Sequence, residues 1–208
     1  MVFYFTICDP SYVVYMGKDK YENEELIKHA WPEDVWFHVD KFSSAHVYLR
    51  LRDGDFDINT IPSDVLEDLA QLTKQNSIEG SKRNNVQIVY TMASNLKKTG
   101  GMEVGQVSFH NQKEVKYTKV ETRKSEIINR LSKTKEERHP DLLAEKMSHM
   151  KELNRRERNA AAERARAEKE EQERRKKEAE ARNYDLLEDH ELMTSNKGLG
   201  NDYEEDFM

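Results

Sequence analysis

The sequence predicts an α+β domain, a largely antiparallel sheet with two packed helices, followed by a long charged α-helix and a disordered acidic tail. Three observations predict it. Short β-branched and aromatic runs recur through residues 1–120 with period-two alternation. Between them lie two segments with apolar residues at helical spacing. Residues 141–182 then turn into almost pure Glu, Lys, Arg and Ala, with Leu153 the one large aliphatic after Met150, so that stretch cannot bury a core of its own.

In order, Val2–Ile7 and Tyr12–Met16 read as strands of a hairpin, separated by Asp9-Pro10-Ser11. Asn23–Ala30 has the spacing of a short helix with Leu26, Ile27 and Ala30 inward, and Trp31-Pro32 stops it, because a residue before proline avoids helical backbone. Val35–Val39 and His46–Leu51 alternate as strands. Val35, Phe37, Val39, Val47, Leu49 and Leu51 fall on one face, and Trp36, His38, His46, Tyr48 and Arg50 on the other. If the aliphatic face is the core, the opposite surface is open and aromatic. Pro62-Ser63 opens a helix through Val65, Leu66, Leu69 and Leu72. Val86–Thr91, Val104–Phe109 and Val115–Val120 read as further strands. This gives a domain over residues 1–120 and a docking helix over 121–139, with Ile127, Ile128 and Leu131 on its apolar edge.

Beyond His139-Pro140, residues 141–183 read as one helix laced with acid-to-base pairs at i,i+4, Glu152–Arg156 and Glu171–Arg175 among them. The apolar a and d positions of a coiled coil are missing, so the arm is expected to be monomeric. Asn183 is the expected stop, and residues 184–208 are acidic and expected to be disordered.

Charge is segregated. Residues 1–120 are net −3, 121–182 net +4 and 183–208 net −7, so the overall −6 does not exclude a polyanion partner. Cys8 is the single cysteine, which rules out an intramolecular disulfide. Met1–Ile7 lacks a basic lead-in and reads as a strand, and no apolar run approaches the roughly 18 residues of a spanning helix. The expected location is the cytoplasm, the nucleus or both.

His38 and Asp40, with His46 or His110, are the nearest approach to a metal set, but nothing fixes the remaining ligands and no metal or other cofactor is expected. Ser43 or Ser44 with His38 and Asp40 lacks nucleophile-elbow spacing. Lys97-Lys98-Thr99-Gly100-Gly101 has neither the P-loop order nor the dinucleotide fingerprint. Binding is therefore expected rather than catalysis. Lys82-Arg83, Lys97-Lys98 and Lys113 with Lys116 and Lys119 lie at strand ends or in loops. On one rim they would track phosphates while Trp36 and Tyr48 stack bases.

Three ordered blocks resemble the NFACT-R family: Gly17-Lys18-Asp19-Lys20-Tyr21-Glu22-Asn23-Glu24-Glu25-Leu26-Ile27, Trp31-Pro32-Glu33-Asp34-Val35-Trp36-Phe37-His38-Val39-Asp40 and Ser44-Ala45-His46-Val47-Tyr48-Leu49-Arg50. Asn76-Ser77, Val89-Tyr90-Thr91, Asn95-Leu96-Lys97-Lys98 and Gly105 resemble it too. The layout of module, charged helix and acidic Phe-Met end is similar to its eukaryotic stand-alone members. The resemblance implies a non-catalytic RNA- or DNA-binding module related to ribosome-associated quality-control factors, with the ribosome as a further partner. It places Asn23, Asp34, Trp36, His38, His46, Asn95, Lys97 and Lys98 on the family motif. The candidate nucleic-acid contacts are thus Trp36, His38, His46, Tyr48, Arg50, Lys82, Arg83, Asn95, Lys97 and Lys98. The alternative function is a protein-interaction adaptor that recruits its partner through residues 141–208.

Overall fold

Odd and even positions along the strands enter two different cores. The computed structural model describes residues 1–51 and 57–192, with the side chains of the last helix described as far as Arg182. Two units are defined, Met1–Met150 and the stretch from Lys151 onward. In the first, β1 (Val2–Phe5), β2 (Val13–Gly17), β3 (Val35–Val39), β4 (Val47–Arg50), β5 (Val86–Met92), β8 (Lys116–Val120) and β9 (Glu136–Arg138) form one sheet. Its order is β8-β5-β3-β4-β2-β1-β9, and every neighbouring pair is antiparallel. β6 (Leu96–Lys97) and β7 (Ser108–Phe109) make a separate small hairpin.

Phe37, Val47, Leu49 and Ile88 pack on one face with Val65, Leu69 and Leu72 of α2 (Ser63–Gln75) and Leu131 of α3 (Ser125–Lys133). Tyr15, Trp36, Tyr48 and Val89 pack on the other, beneath Leu26 of α1 (Lys20–His29), its C-cap Ala30, Leu96 and Phe109 of the small hairpin, and Leu142. Burying both faces sets aside the expectation of an open aromatic surface. The cover comes from segments far away in sequence, which alternation within a strand does not register.

Local chemistry sets the ends of α1. Asp19 caps it, accepting from the N–H groups of Tyr21 and Glu22 at 2.9 and 3.0 Å. Gly17 lets the helix approach β2, because a Cβ there would lie 2.3 Å from Asn23 Oδ1.

Most expected boundaries shift by one to three residues, as with α1 at Lys20–His29 and β4 at Val47–Arg50, and three elements change more. The strand expected over Val104–Phe109 is only Ser108–Phe109, because Gly105 turns the chain at φ +82° and Lys98 holds the carbonyls of Glu103 and Gln106. The docking helix is confined to Ser125–Lys133, and Glu136–Arg138 pairs with β1 as an edge strand, since backbone pairing needs no apolar side chain. The charged helix α4 (Leu142–Leu192) runs past Asn183, because one asparagine costs only a fraction of a kcal/mol once a helix is propagating. The expected disorder of the tail beyond residue 192 lies outside the described residues.

Along α4, Glu152–Arg156 and Glu171–Arg175 pair as expected, and Arg166–Glu170 and Arg174–Glu178 pair in the reverse order. Among the described residues no helix is long and apolar enough to cross a membrane.

Candidate nucleic-acid interface

One row of side chains crosses the α1 side of the sheet. Tyr4 sits opposite Tyr15, Tyr15 opposite Tyr48, Tyr48 opposite Trp36, and Trp36 opposite Thr91. The Tyr15 and Tyr48 rings stack with centroids 5.0 Å apart. Trp36 is 2% exposed and Tyr48 fully buried, so neither offers a ring to a nucleobase.

Trp36 donates its indole N–H to His46 Nδ1 at 2.9 Å, which leaves the imidazole proton on Nε2. Burial pushes His46 down to about 3, helped by the neighbouring His38. His38 stacks on the same indole with centroids 5.4 Å apart, and its Nδ1 lies 2.7 Å from the Val39 carbonyl. It is the one member of this group that keeps a partly exposed edge.

Arg50 is also committed internally. Asp34 is fully buried and accepts from Tyr15 Oη at 2.5 Å, the Trp31 N–H at 3.0 Å and Arg50 Nε at 3.1 Å. Desolvation pushes the Asp34 carboxyl up, against the pull of Arg50 and the other two donors. The Arg50 guanidinium lies 3.5 Å from the Trp31 ring centre, and His149 stacks on Trp31 at 3.6 Å. At those distances the two groups need opposite faces of the indole. His149 also pairs with Glu33, fastening the first turns of α4 to the domain.

The basic positions divide. Lys98 donates to Glu24 Oε2 at 2.9 Å, the Glu103 carbonyl at 2.7 Å and the Gln106 carbonyl at 3.0 Å, which uses all three of its hydrogens. Asn95, 4% exposed, donates to Thr91 Oγ1 and the Asn111 carbonyl and accepts from the Asn111 N–H. Both residues build the hairpin and its turn. Lys82, Arg83 and Lys97 are exposed. Arg83 pairs with Glu79 and lies over Phe42, beside the α2-side core, whereas Lys97 belongs to the hairpin on the other face. The expected single rim is therefore not assembled from these three.

At the outer margin of the sheet the sequence points to Lys113, Lys116 and Lys119 but not to Tyr117 and Gln87 among them. Tyr117 on β8 is 46% exposed, and Gln87 and Lys119 beside it are exposed as well. Val115, Tyr117 and Lys119 share one face by alternation, and along it Val115 is buried while Tyr117 and Lys119 are exposed. Among the described residues no three of His, Cys, Asp and Glu converge as a metal-binding set.

Residues 1–111 match the family described as the NFACT protein RNA binding domain. The chain is 55% identical to mouse coiled-coil domain-containing protein 25 over 208 residues, which is 99% of each chain. It therefore belongs to the coiled-coil domain-containing protein 25 family and carries its NFACT-R domain. At longer range, 112 residues are 32% identical to the Rqc2 homolog RqcH of Streptococcus pneumoniae, covering 53% of this chain and 19% of that protein. The fold is shared with the C-terminal part of the fibronectin/fibrinogen-binding protein from Streptococcus suis. That match has a TM-score of 0.52 and 22% identity, and it covers 64% of this chain and 48% of the other.

Proposed function

We propose that this protein is a non-enzymatic RNA-binding protein acting in ribosome-associated processes in the cytoplasm, the nucleus or both. The match of residues 1–111 to an RNA-binding domain carries the reading. The ribosomal direction is supported by the likeness to a protein named as an Rqc2 homologue. The domain interior supports binding over catalysis, because the buried polar side chains Asp34, His46 and Asn95 each have hydrogen-bond partners inside the fold.

The test uses the full chain and fluorescence anisotropy with a labelled single-stranded RNA and the same sequence as DNA. RNA binding that weakens linearly on a log–log plot with salt is expected, together with co-sedimentation with ribosomes. Absence of RNA binding at low salt, with protein partners still recovered by residues 141–208, replaces the reading with the adaptor function.

A further inference from the structure

The β3–β5–β8 margin is where the α1-side face of the sheet emerges from its cover. The register sets His38 beside Val89 and Val89 beside Tyr117, and one pleat further on sets Gln87 beside Lys119. Residues two apart on a strand lie about 7 Å apart on one face, so Tyr117 and Lys119 project together, and Lys113 stands in the turn just before β8. Most aromatic rings on the strands are buried or half-buried, whereas Tyr117 is 46% exposed. Lys113 and Lys119 are exposed and have no side-chain partner among the described residues.

From Asn111 to Lys124 the cations Lys113, Lys116, Lys119, Arg123 and Lys124 outnumber Glu114 and Glu121. Lys116 is engaged with Asn59 and Lys124 with Glu67, which leaves Lys113 and Lys119 as the lysines available on this face. Asp40, whose N–H bonds to the Gln87 carbonyl, marks where the positive margin ends.

We propose that Tyr117, with Lys113, Lys119 and Gln87, is the contact surface for single-stranded RNA, the ring stacking on a base and the lysines meeting phosphates. The proposal rests on the RNA-binding reading above. It favours a single strand because a paired base offers no free face for stacking. Lys113, Tyr117 and Lys119 lie just past residues 1–111, so the family match does not assign them.

The test measures binding of the full chain to fluorescein-labelled oligouridylate across a salt series. Tyr117→Ala should weaken binding by about 5- to 150-fold, Tyr117→Phe should bind like wild type, and both should keep the wild-type melting temperature. Lys113→Gln with Lys119→Gln should reduce the log-affinity against log-salt slope by about 1.4. If wild type binds and these variants match it in affinity and slope, the surface is elsewhere while the RNA reading stands. If wild type does not bind at low salt, the RNA reading itself falls and takes this surface with it.

Discussion

Trp36 on β3 and His46, the residue just before β4, are joined by a 2.9 Å hydrogen bond, in a layer where the indole is 2% and the imidazole 3% exposed. The bond ties two polar atoms that would otherwise be buried without partners, and it makes this face of the sheet as much a core as the aliphatic one.

Trp36→Ala should therefore cost about 3–5 kcal/mol, on a par with Phe37→Ala on the opposite face. Urea unfolding of both variants checks this. A Trp36 variant close to wild type in stability would mean that the cover of α1 and the small hairpin contributes little.

Stability should fall on acidification. His46 stays neutral in the folded protein down to about pH 3, whereas in the unfolded chain it titrates near 6.5. Between those values the unfolded chain binds a proton that the folded chain does not. Stability present above pH 6.5 is then lost as the pH drops toward 3, by up to about 1.4 kcal/mol per pH unit. His38, also lowered by burial, acts in the same direction. Unfolding midpoints across this range should decline less steeply for His46→Gln than for wild type, and parallel curves would remove His46 as the cause.

Lys97 and Lys98 should behave differently despite being neighbours. Lys98→Ala removes the pin on the 99–106 segment and should cost about 1–3 kcal/mol, with loss of amide protection at Gly105, whose N–H bonds to Glu24 at 2.9 Å. Lys97→Ala should leave both stability and protection unchanged. Hydrogen exchange read by mass spectrometry separates the two, and equal effects would refute the pinning role.

The strands and helices were legible where one segment carries its own periodicity. Val35, Phe37 and Val39 alternate, and Val65, Leu69 and Leu72 recur at helical spacing, and both sets lie in the core as read. The second core was not legible, because Trp36, His46, Tyr48 and Arg50 are residue types at home on a half-exposed surface. What buries them is α1 and the small hairpin, brought over the sheet by tertiary packing. The edge strand Glu136–Arg138 carries no apolar signal at all, and His149 reads as an ordinary member of a charged helix until Trp31 and Glu33 are seen against it. Of the ten candidate contacts, Trp36, His46, Arg50, Asn95 and Lys98 have partners inside the fold, whereas Lys82 and Lys97 are exposed.

The charged helix should hold alone. A peptide of residues 151–182 should be helical by circular dichroism and monomeric by sedimentation, with helicity falling at high salt as pairs such as Glu171–Arg175 are screened. A dimer at micromolar concentration would show that charged residues alone sustain pairing here.

The chain has two tryptophans, and the fold gives them opposite optical surroundings. Trp36, sealed under its cover, should emit toward the blue. Trp31, pressed between a guanidinium and an imidazole, should be quenched, and should brighten when the first turns of α4 lift away. Intrinsic fluorescence of the unlabelled protein thus reads two events on separate channels, the opening of the sheet's cover and the release of the helix.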